Sequence, residues 1–352
     1  MKKIHAEKIV CEIKFQKFEK NIDKIFQKCY NNPIQIETLS FDLRFHLTLN
    51  ERSDIVNLEN LTTEKRNGNT YHLDELSTFE LLDAMNEEDA KVANAVKKAI
   101  PQIAEAVDSI TSARLSGGRL IYIGAGTSGR IGLLDAVECP PTFGVSPDEV
   151  VGIIAGGERA FIKAVEGAED DFELGILDLK AIDLTEKDVV IGIAASGRTP
   201  YVIGGLTYAN EIGAKTVAIA CNQNSEIGEV ANIAIEVDNG PELLTGSTRL
   251  KSGTSQKLIC NMLSTAAMVK TGKVFGNLMV DLQLTNEKLV ERGKRIIMAA
   301  TGCDKELAEQ KLDESEGKVK LAILMILADL TKEVAIERLN AANGFIKKAI
   351  NS

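Results

Sequence analysis

The chain lacks tryptophan, has only three histidines in 352 residues, and contains no apolar run of about 18 residues that would span a membrane as a helix. Its six cysteines are scattered, and none forms a CxxC pair. A structural zinc site needs four clustered nitrogen or sulfur ligands, so we predict no metal site. No apolar segment follows the basic start Met1–Lys3, which argues against a signal peptide. Scattered cysteines are typical of reduced thiols, and we expect a cytoplasmic protein with no membrane segment.

The charge balance is acidic, with 51 Asp and Glu against 41 Lys and Arg and a net charge of -10. Nucleic-acid binding depends on neutralising phosphates with Lys and Arg, so this balance argues against a nucleic-acid partner. It leaves a small anionic ligand open, because a single pocket can be locally basic.

Between residues 119 and 240 the sequence alternates short apolar runs with helix-like stretches such as Arg159–Glu169 and Pro200–Ile212. Strands that are apolar at nearly every position are typical of a parallel sheet buried on both faces. We therefore predict an α/β fold with a five-stranded, doubly wound parallel sheet, whose ligand lies beyond the carboxyl ends of the strands. The five predicted strands are Leu120–Gly124, Val150–Ala155, Val189–Ala194, Thr216–Ala220 and Ile233–Val237.

Four segments are expected along the chain. Residues 1–56 form an N-terminal extension without recognisable chemistry, compatible with a start codon assigned too far upstream. Residues 57–118 are helical, and Pro101 kinks or divides the helices there. Residues 119–283 hold the sheet, followed by a long helix over Ser255–Val274. Residues 284–352 form a small helical bundle, and glycines mark its turns at Gly302, Gly317 and Gly344.

The segment Gly124–Arg130 follows the first strand directly and opens a helix. Glycines let the backbone approach an anion closely, and a helix N-terminus offers free N–H groups, to which Thr127 and Ser128 add hydroxyls. The glycine spacing also matches GxGxxG, the dinucleotide-binding pattern. The second strand, however, ends in Gly156 and Gly157 rather than in a ribose-binding acid. We therefore favour a phosphate monoester.

A second segment of this kind, Ala194–Pro200, follows the third strand. Ser196 and Thr199 would direct hydroxyls toward the same crevice, and Pro200 suits the first position of a helix because its missing N–H costs little there. Two hydroxyl-bearing loops at the carboxyl ends of two strands predict a phosphate cradle without a Walker lysine.

Two glutamates lie near these loops in the sequence. Glu138 precedes Pro140 and Pro141, which we expect to end its helix at once. Glu169 lies where the preceding helix is expected to end, three residues after Glu166 and on nearly the same face. Paired acids suit general acid–base chemistry, although an isolated Glu is more often a solvated surface charge.

The segment Gly240–Thr254 follows the fifth strand and is rich in hydroxyls. Arg249 and Lys251 could complete an anion pocket there. The alternative is a polar, capped helix start with an ion pair at the surface. Cys139 lacks a nearby histidine in sequence, which argues against a cysteine nucleophile.

Taken together, these motifs resemble the bacterial N-acetylmuramic acid 6-phosphate etherases, within the wider group of sugar-isomerase (SIS) domain proteins that includes the glucokinase regulatory protein. The resemblance covers about residues 57–352 and implies an SIS domain followed by a small, UBA-like helical bundle. It rests on Leu58–Asn67, Gly124–Arg130, Glu138–Thr142, Ala155–Glu158, Val165–Asp170, Ala195–Tyr201, Gly240–Lys251, Asn261–Thr265 and Gly276–Asp281.

The resemblance implies a carbon–oxygen lyase of cell-wall recycling and amino-sugar catabolism. It would cleave the C3 lactyl ether of N-acetylmuramic acid 6-phosphate by elimination and water addition, giving N-acetylglucosamine 6-phosphate and D-lactate. No cofactor, metal or nucleotide is implied.

By the same resemblance, Glu138 is the proton donor and Glu169 the second acid/base. The hydroxyls of Thr127, Ser128, Ser196 and Thr199 would hold the 6-phosphate. We further assign Arg249 or Lys251 to the lactyl carboxylate, and we expect a homodimer.

Two alternatives stay open at this stage. A sugar-phosphate isomerase would need only one base between C1 and C2. A non-catalytic sugar-phosphate sensor that binds a kinase would usually have a longer chain with two such modules.

Overall fold

A computed structural model describes residues 61–351, and the predicted extension 1–56 lies outside this range. The described residues belong to one unit, Glu59–Ser352. The helices are α1 Thr78–Asp89, α2 Val92–Lys97, α3 Ile100–Leu115, α4 Gly126–Phe143, α5 Arg159–Ile162, α6 Phe172–Ala181, α7 Pro200–Ile212, α8 Glu226–Val230, α9 Lys251–Lys270, α10 Glu287–Thr301, α11 Lys305–Glu314, α12 Val319–Leu327, α13 Lys332–Ala341 and α14 Ile346–Ile350. The strands are β1 Leu120–Gly124, β2 Val150–Ile154, β3 Val189–Ile193, β4 Lys215–Ala220, β5 Ile233–Glu236, β6 Val274–Phe275 and β7 Leu278–Met279.

The central sheet has five parallel strands in the order β2-β1-β3-β4-β5, so the predicted fold class is confirmed. Each predicted strand agrees with the structure to within one residue at either end. Alternate side chains of β1 enter two separate cores: Leu120 and Tyr122 pack with α2, α3, α4 and α9, whereas Ile121 and Ile123 pack with α6, α7 and α8. Strand order reverses between β1 and β3, which places a crevice at their carboxyl ends.

The C-terminal region is helical, as predicted, and has a core of its own formed by α10–α14 and the β6–β7 hairpin. Its turns fall at Gly302, Gly317 and Gly344, each with positive φ. The long helix predicted over Ser255–Val274 begins and ends four residues earlier, at Lys251 and Lys270. Within residues 61–351, no helix is long and apolar enough to cross a membrane.

Two local predictions about the glutamate-bearing segments were wrong. The stretch predicted as a helix over Arg159–Glu169 is a single turn, Arg159–Ile162, followed by a separate 3₁₀ turn, Ala168–Asp170. Gly167 separates them because its φ of 76° leaves the helical region.

The prolines after Glu138 do not end α4 at once. Pro140 and Pro141 lie inside its last turn, where their fixed φ is already helical, and few further helical hydrogen bonds are needed. The helix ends at Phe143. Gly144 follows as the C-cap residue with a φ of 61°, and its N–H donates a hydrogen bond to the Pro140 carbonyl oxygen. Glu138 therefore lies on a helix rather than at a turn.

Candidate functional site

The two predicted anion loops begin side by side. Gly124 at the end of β1 pairs in register with Ile193 at the end of β3, and adjacent strands lie about 4.8 Å apart. The chain then enters α4 after Ala125, and it enters α7 after Thr199. Both helix N-termini consequently face the crevice at the switch point.

In the first loop, glycine is required by close packing. A Cβ on Gly129 would lie 2.5 Å from the Gly124 carbonyl oxygen, so no larger residue fits without a backbone shift. Helix α4 has no side-chain cap, which leaves the N–H groups of its first turn available to an anion. The packing thus brings the open end of α4 close against β1.

The two hydroxyls of this loop differ in their surroundings. Ser128 is buried and donates a hydrogen bond to Gln256 Oε1 at 3.0 Å, while the Gln256 Nε2 atom has no partner in the described part of the chain. Thr127 is half-buried, beside Gly253 of α9. Only Thr127 therefore has a hydroxyl that is not already engaged by a neighbouring helix.

In the second loop, Gly197 turns the chain with a φ of 77° and packs against Ser225. Ser196 is half-buried, and its hydroxyl accepts a long hydrogen bond, 3.4 Å, from the Arg198 N–H. Thr199 is the N-cap residue of α7, yet its side chain makes no capping bond. Neither the Ser196 hydroxyl nor the Thr199 side chain caps α7, and their binding of phosphate stays a prediction.

Sequence reasoning missed a set of hydrogen bonds from Asn222 that joins the second loop to Thr63. Asn222, just after β4, donates hydrogen bonds to Thr63 Oγ1 at 3.1 Å and to the carbonyl oxygens of Ala195 and Ser196 at 3.3 Å. Its own Oδ1 accepts from the Thr63 N–H. A polar residue at the carboxyl end of β4 was the available signal, but its partner lies 159 residues away.

Glu169 is exposed on a 3₁₀ turn in the connection from β2 to α6. This turn packs against α7, and Ala168 beside Glu169 is buried in the core formed by α6, α7 and α8. The helix that follows the second loop therefore supports the turn that carries Glu169, and the catalytic role of Glu169 stays a prediction. Glu166 is also exposed in this connection.

Glu138 lies elsewhere on α4. It shares a helical face with Thr127 but follows it by eleven residues, a separation of about 16 Å along the helix axis. Leu134, one turn earlier on that face, is apolar and 46% exposed, and the adjacent Val137 is 57% exposed. Within one chain, Glu138 and the first anion loop cannot both be within hydrogen-bond distance of one phosphate group.

The fourth motif is a capped helix start, as in the alternative that the sequence left open, but its ion pair is buried rather than at the surface. Glu242 is fully buried and accepts from the N–H groups of Lys251 and Ser252, the first residues of α9. The Lys251 ammonium is buried too and donates to Glu88 at 2.6 Å. Lys251 is therefore already engaged within the protein, whereas Arg249 is exposed.

A buried acid lies one turn before Glu138. Asp135 accepts hydrogen bonds from Tyr122 Oη at 2.8 Å and from Ser264 Oγ at 3.1 Å. Burial raises the pKa of Asp135 to about 6, and these two hydrogen bonds offset that only in part. Burial likewise raises the pKa of the Cys139 thiol to about 12, which disfavours the thiolate a nucleophile would need.

Among residues 61–351, no group of three or more His, Cys, Asp and Glu side chains is arranged to hold a metal ion. The loops after β1 and β3 offer hydroxyls and backbone N–H groups, a set suited to binding an anion such as a phosphate group.

Comparison with known proteins decides the family. Residues 102–210 match the glucokinase regulatory protein N-terminal SIS domain, and residues 175–266 match the SIS domain. N-acetylmuramic acid 6-phosphate etherase 2 of Enterococcus faecalis is 62% identical over 296 residues, which is 84% of this chain and 100% of the relative. The chain belongs to the N-acetylmuramic acid 6-phosphate etherase family.

A second relative agrees with this etherase assignment. An N-acetylmuramic acid 6-phosphate etherase of Exiguobacterium sp. is 58% identical over 83% of this chain and 100% of the relative. These relatives and the SIS-domain matches confirm the predicted resemblance to the etherase family, with its SIS domain. Among solved structures, a phosphoheptose isomerase from Francisella tularensis matches 55% of this chain and 100% of its own, at 17% identity and a TM-score of 0.44.

Proposed function

We propose that this chain is a carbon–oxygen lyase that cleaves the C3 lactyl ether of N-acetylmuramic acid 6-phosphate, releasing N-acetylglucosamine 6-phosphate and D-lactate. One observation supports the proposal: in a member of the etherase family, the loops after β1 and β3 lie side by side and lead into two helices without side-chain caps, and the turn that carries Glu169 packs against the second of these helices. The physiological role would be the recycling of cell-wall amino sugars in the cytoplasm, where scattered reduced cysteines are stable.

In this proposal the 6-phosphate binds between the N-termini of α4 and α7. Backbone N–H groups of both first turns and the hydroxyls of Thr127, Ser196 and Thr199 would donate to its oxygens. Ser128 would contribute its N–H group and hold Gln256 with its hydroxyl. The helix dipoles add a favourable field for the dianion.

The chemistry then needs one base and one acid. The open-chain sugar has an aldehyde that acidifies the proton on C2, and Glu169 would remove it. Glu138 would protonate the departing lactate oxygen as the C3–O bond breaks. Water adds to the resulting unsaturated aldehyde at C3, and the C2 carbon regains a proton.

The separation of Glu138 from the anion loop of its own chain supports a homodimer in which each site uses Glu138 of the partner subunit. The exposed Leu134, one turn before Glu138, and the adjacent Val137 would be covered by that contact. Apolar side chains around a functional acid are expected at an interface rather than at a free surface.

Arg249 is the better candidate for the lactyl carboxylate. It is exposed just before α9, and α9 runs beside the first anion loop, because Gly253 lies against Thr127. A guanidinium can bind a carboxylate through two parallel hydrogen bonds. Lys251 would support this loop from within the core.

The direct test is release of D-lactate from N-acetylmuramic acid 6-phosphate by the purified protein. Wild type should release lactate, and Glu138→Gln and Glu169→Gln should each lower kcat by at least about 100-fold. Glu166→Gln is the matched control, since it alters an exposed glutamate in the same connection and should retain activity.

The alternatives give different results. An isomerase would interconvert aldose and ketose phosphates without releasing lactate. A sensor would bind N-acetylglucosamine 6-phosphate without any turnover. Absence of lactate release above an enzyme-free control would reject the proposed function.

A further inference from the structure

Arg130 connects the first anion loop to the segment that carries Glu169. It lies in the first turns of α4, two residues after Ser128. Its Nε donates to the Phe161 carbonyl oxygen at 2.9 Å, and its Nη2 donates to the Ala160 carbonyl oxygen at 2.7 Å. One planar guanidinium thus binds two consecutive carbonyl groups at the end of α5.

The segment that Arg130 holds has little regular structure of its own. Between β2 and α6 it contains the single turn α5 and three glycines with positive φ, Gly156, Gly157 and Gly167. Its far end is fixed by burial of Ala168 and by packing of Val165 against the same core. Ile162, by contrast, is 89% exposed.

The backbone next to Arg130 is closely packed. Gly129 packs so closely on β1 and β2 that a Cβ would lie 2.5 Å from the Gly124 oxygen and 2.7 Å from an Ile154 side-chain carbon. The backbone that carries Arg130 therefore cannot shift without moving the anion loop. A cation at the last carbonyls of a helix is also favourable electrostatically.

We infer that Arg130 is a positioning residue: by binding the Ala160 and Phe161 carbonyls, it fixes the Glu169-bearing connection relative to the first anion loop. The distance between a phosphate bound at α4 and the carboxylate of Glu169 is then held constant. That distance has to match the one from the phosphorus to C2 of the sugar. This inference rests on the proposed function only for the identity of the reacting carbon.

Kinetics of Arg130→Gln test this role. A displacement of about 1 Å of a reacting group can cost about 100-fold in rate, so we expect kcat to fall by about 10- to 100-fold. The KM for the sugar phosphate should change by less than about threefold, because the phosphate donors remain in place. Arg130→Lys, which keeps a cation but loses the paired geometry, should recover part of kcat.

Arg119→Gln is the matched control. Arg119 also binds two consecutive carbonyls after a helix, those of Ile182 at 2.9 Å and Asp183 at 3.0 Å. It directly precedes β1, however, and so lies at the amino ends of the strands, away from the anion loops. It also pairs with Asp188, so its loss should lower thermal stability while kcat per folded molecule stays at the wild-type value.

Hydrogen–deuterium exchange provides an arm that needs no turnover. Amides of residues 156–167 should exchange faster in Arg130→Gln than in wild type, with the rest of the sheet unchanged. If wild type released no lactate, the proposed function would fail and this measurement would still decide the role of Arg130. Unchanged exchange, or a tenfold rise in KM at constant kcat, would overturn the inference.

Discussion

The Lys251 ammonium lies 2.6 Å from the Glu88 carboxylate, and both side chains are almost completely buried, at 2% and 7% exposure. Glu88 belongs to α1 and Lys251 opens α9, so this ion pair joins the N-terminal helices to the helix beside the anion loop. Burial alone would raise the pKa of Glu88, but hydrogen bonds from Lys251, Lys91 and Asn67 lower it to about 2.

Glu88→Gln should therefore destabilise the fold strongly. It leaves the Lys251 ammonium buried without its counter-charge, a loss of about 3–5 kcal/mol that urea unfolding can measure. The double variant Glu88→Gln with Lys251→Met should recover part of this loss. Lys311→Met, in the more exposed pair with Glu314, serves as control and should leave the midpoint nearly unchanged. A wild-type midpoint for Glu88→Gln would show that the pair contributes nothing.

The Glu88–Lys251 pair also makes the stability of the fold depend on pH in the acid range. Because the folded pKa of Glu88 lies below its ordinary value of 4.5, its contribution is complete above about pH 4.5. The contribution is lost progressively as the pH falls toward 2.

Asp135 has the opposite pH dependence. Its folded pKa of about 6 is above the ordinary value of 3.8, so the native state binds the proton more tightly than the unfolded state does. Stability from this group is greatest below about pH 4 and is lost mainly as the pH rises from about 4 through 6, by on the order of 2 kcal/mol.

Asp135→Asn should remove this dependence. Relative to wild type, the variant should become more stable as the pH rises over that range, as measured by urea midpoints. Asp148→Asn, which alters an exposed carboxylate, should follow wild type at each pH. A constant difference between Asp135→Asn and wild type would contradict the assignment.

Mixing two inactive variants tests whether the site is shared. If each site combines Glu169 of one chain with Glu138 of its partner, a heterodimer of Glu138→Gln and Glu169→Gln has one intact site. Unfolding and refolding an equal mixture should then restore about a quarter of wild-type activity. Mixtures that remain inactive, although heterodimers form, would assign both glutamates to the same chain.

The two hydroxyls of the first loop should respond differently to removal. Thr127→Val deletes a hydroxyl that no helix engages, so KM for the sugar phosphate should rise by about tenfold at unchanged stability. Ser128→Ala leaves Gln256 Oε1 buried without its donor and should lower the free energy of unfolding by about 1–3 kcal/mol. The reverse pattern would show that Ser128 is the phosphate ligand.

Much of the architecture was predictable because it depends on local pattern. Strands buried on both faces are apolar throughout, and the loops after β1 and β3 are marked by glycine and hydroxyl residues within a few positions. The errors arose where a local signal was overridden: Pro140 and Pro141 were accommodated in the last turn of α4, and Gly167 divided an expected helix.

The sequence alone determined the parallel sheet, the two anion loops and the family, since apolar periodicity, glycine positions and motif order are all properties of neighbouring residues. Only the tertiary structure decided which polar groups remain free for a ligand. Lys251 pairs with Glu88 across 163 residues, and Ser128 with Gln256 across 128. Such partners meet only after the helices pack on the sheet. A polar group buried by that packing costs free energy unless it forms a hydrogen bond or an ion pair there.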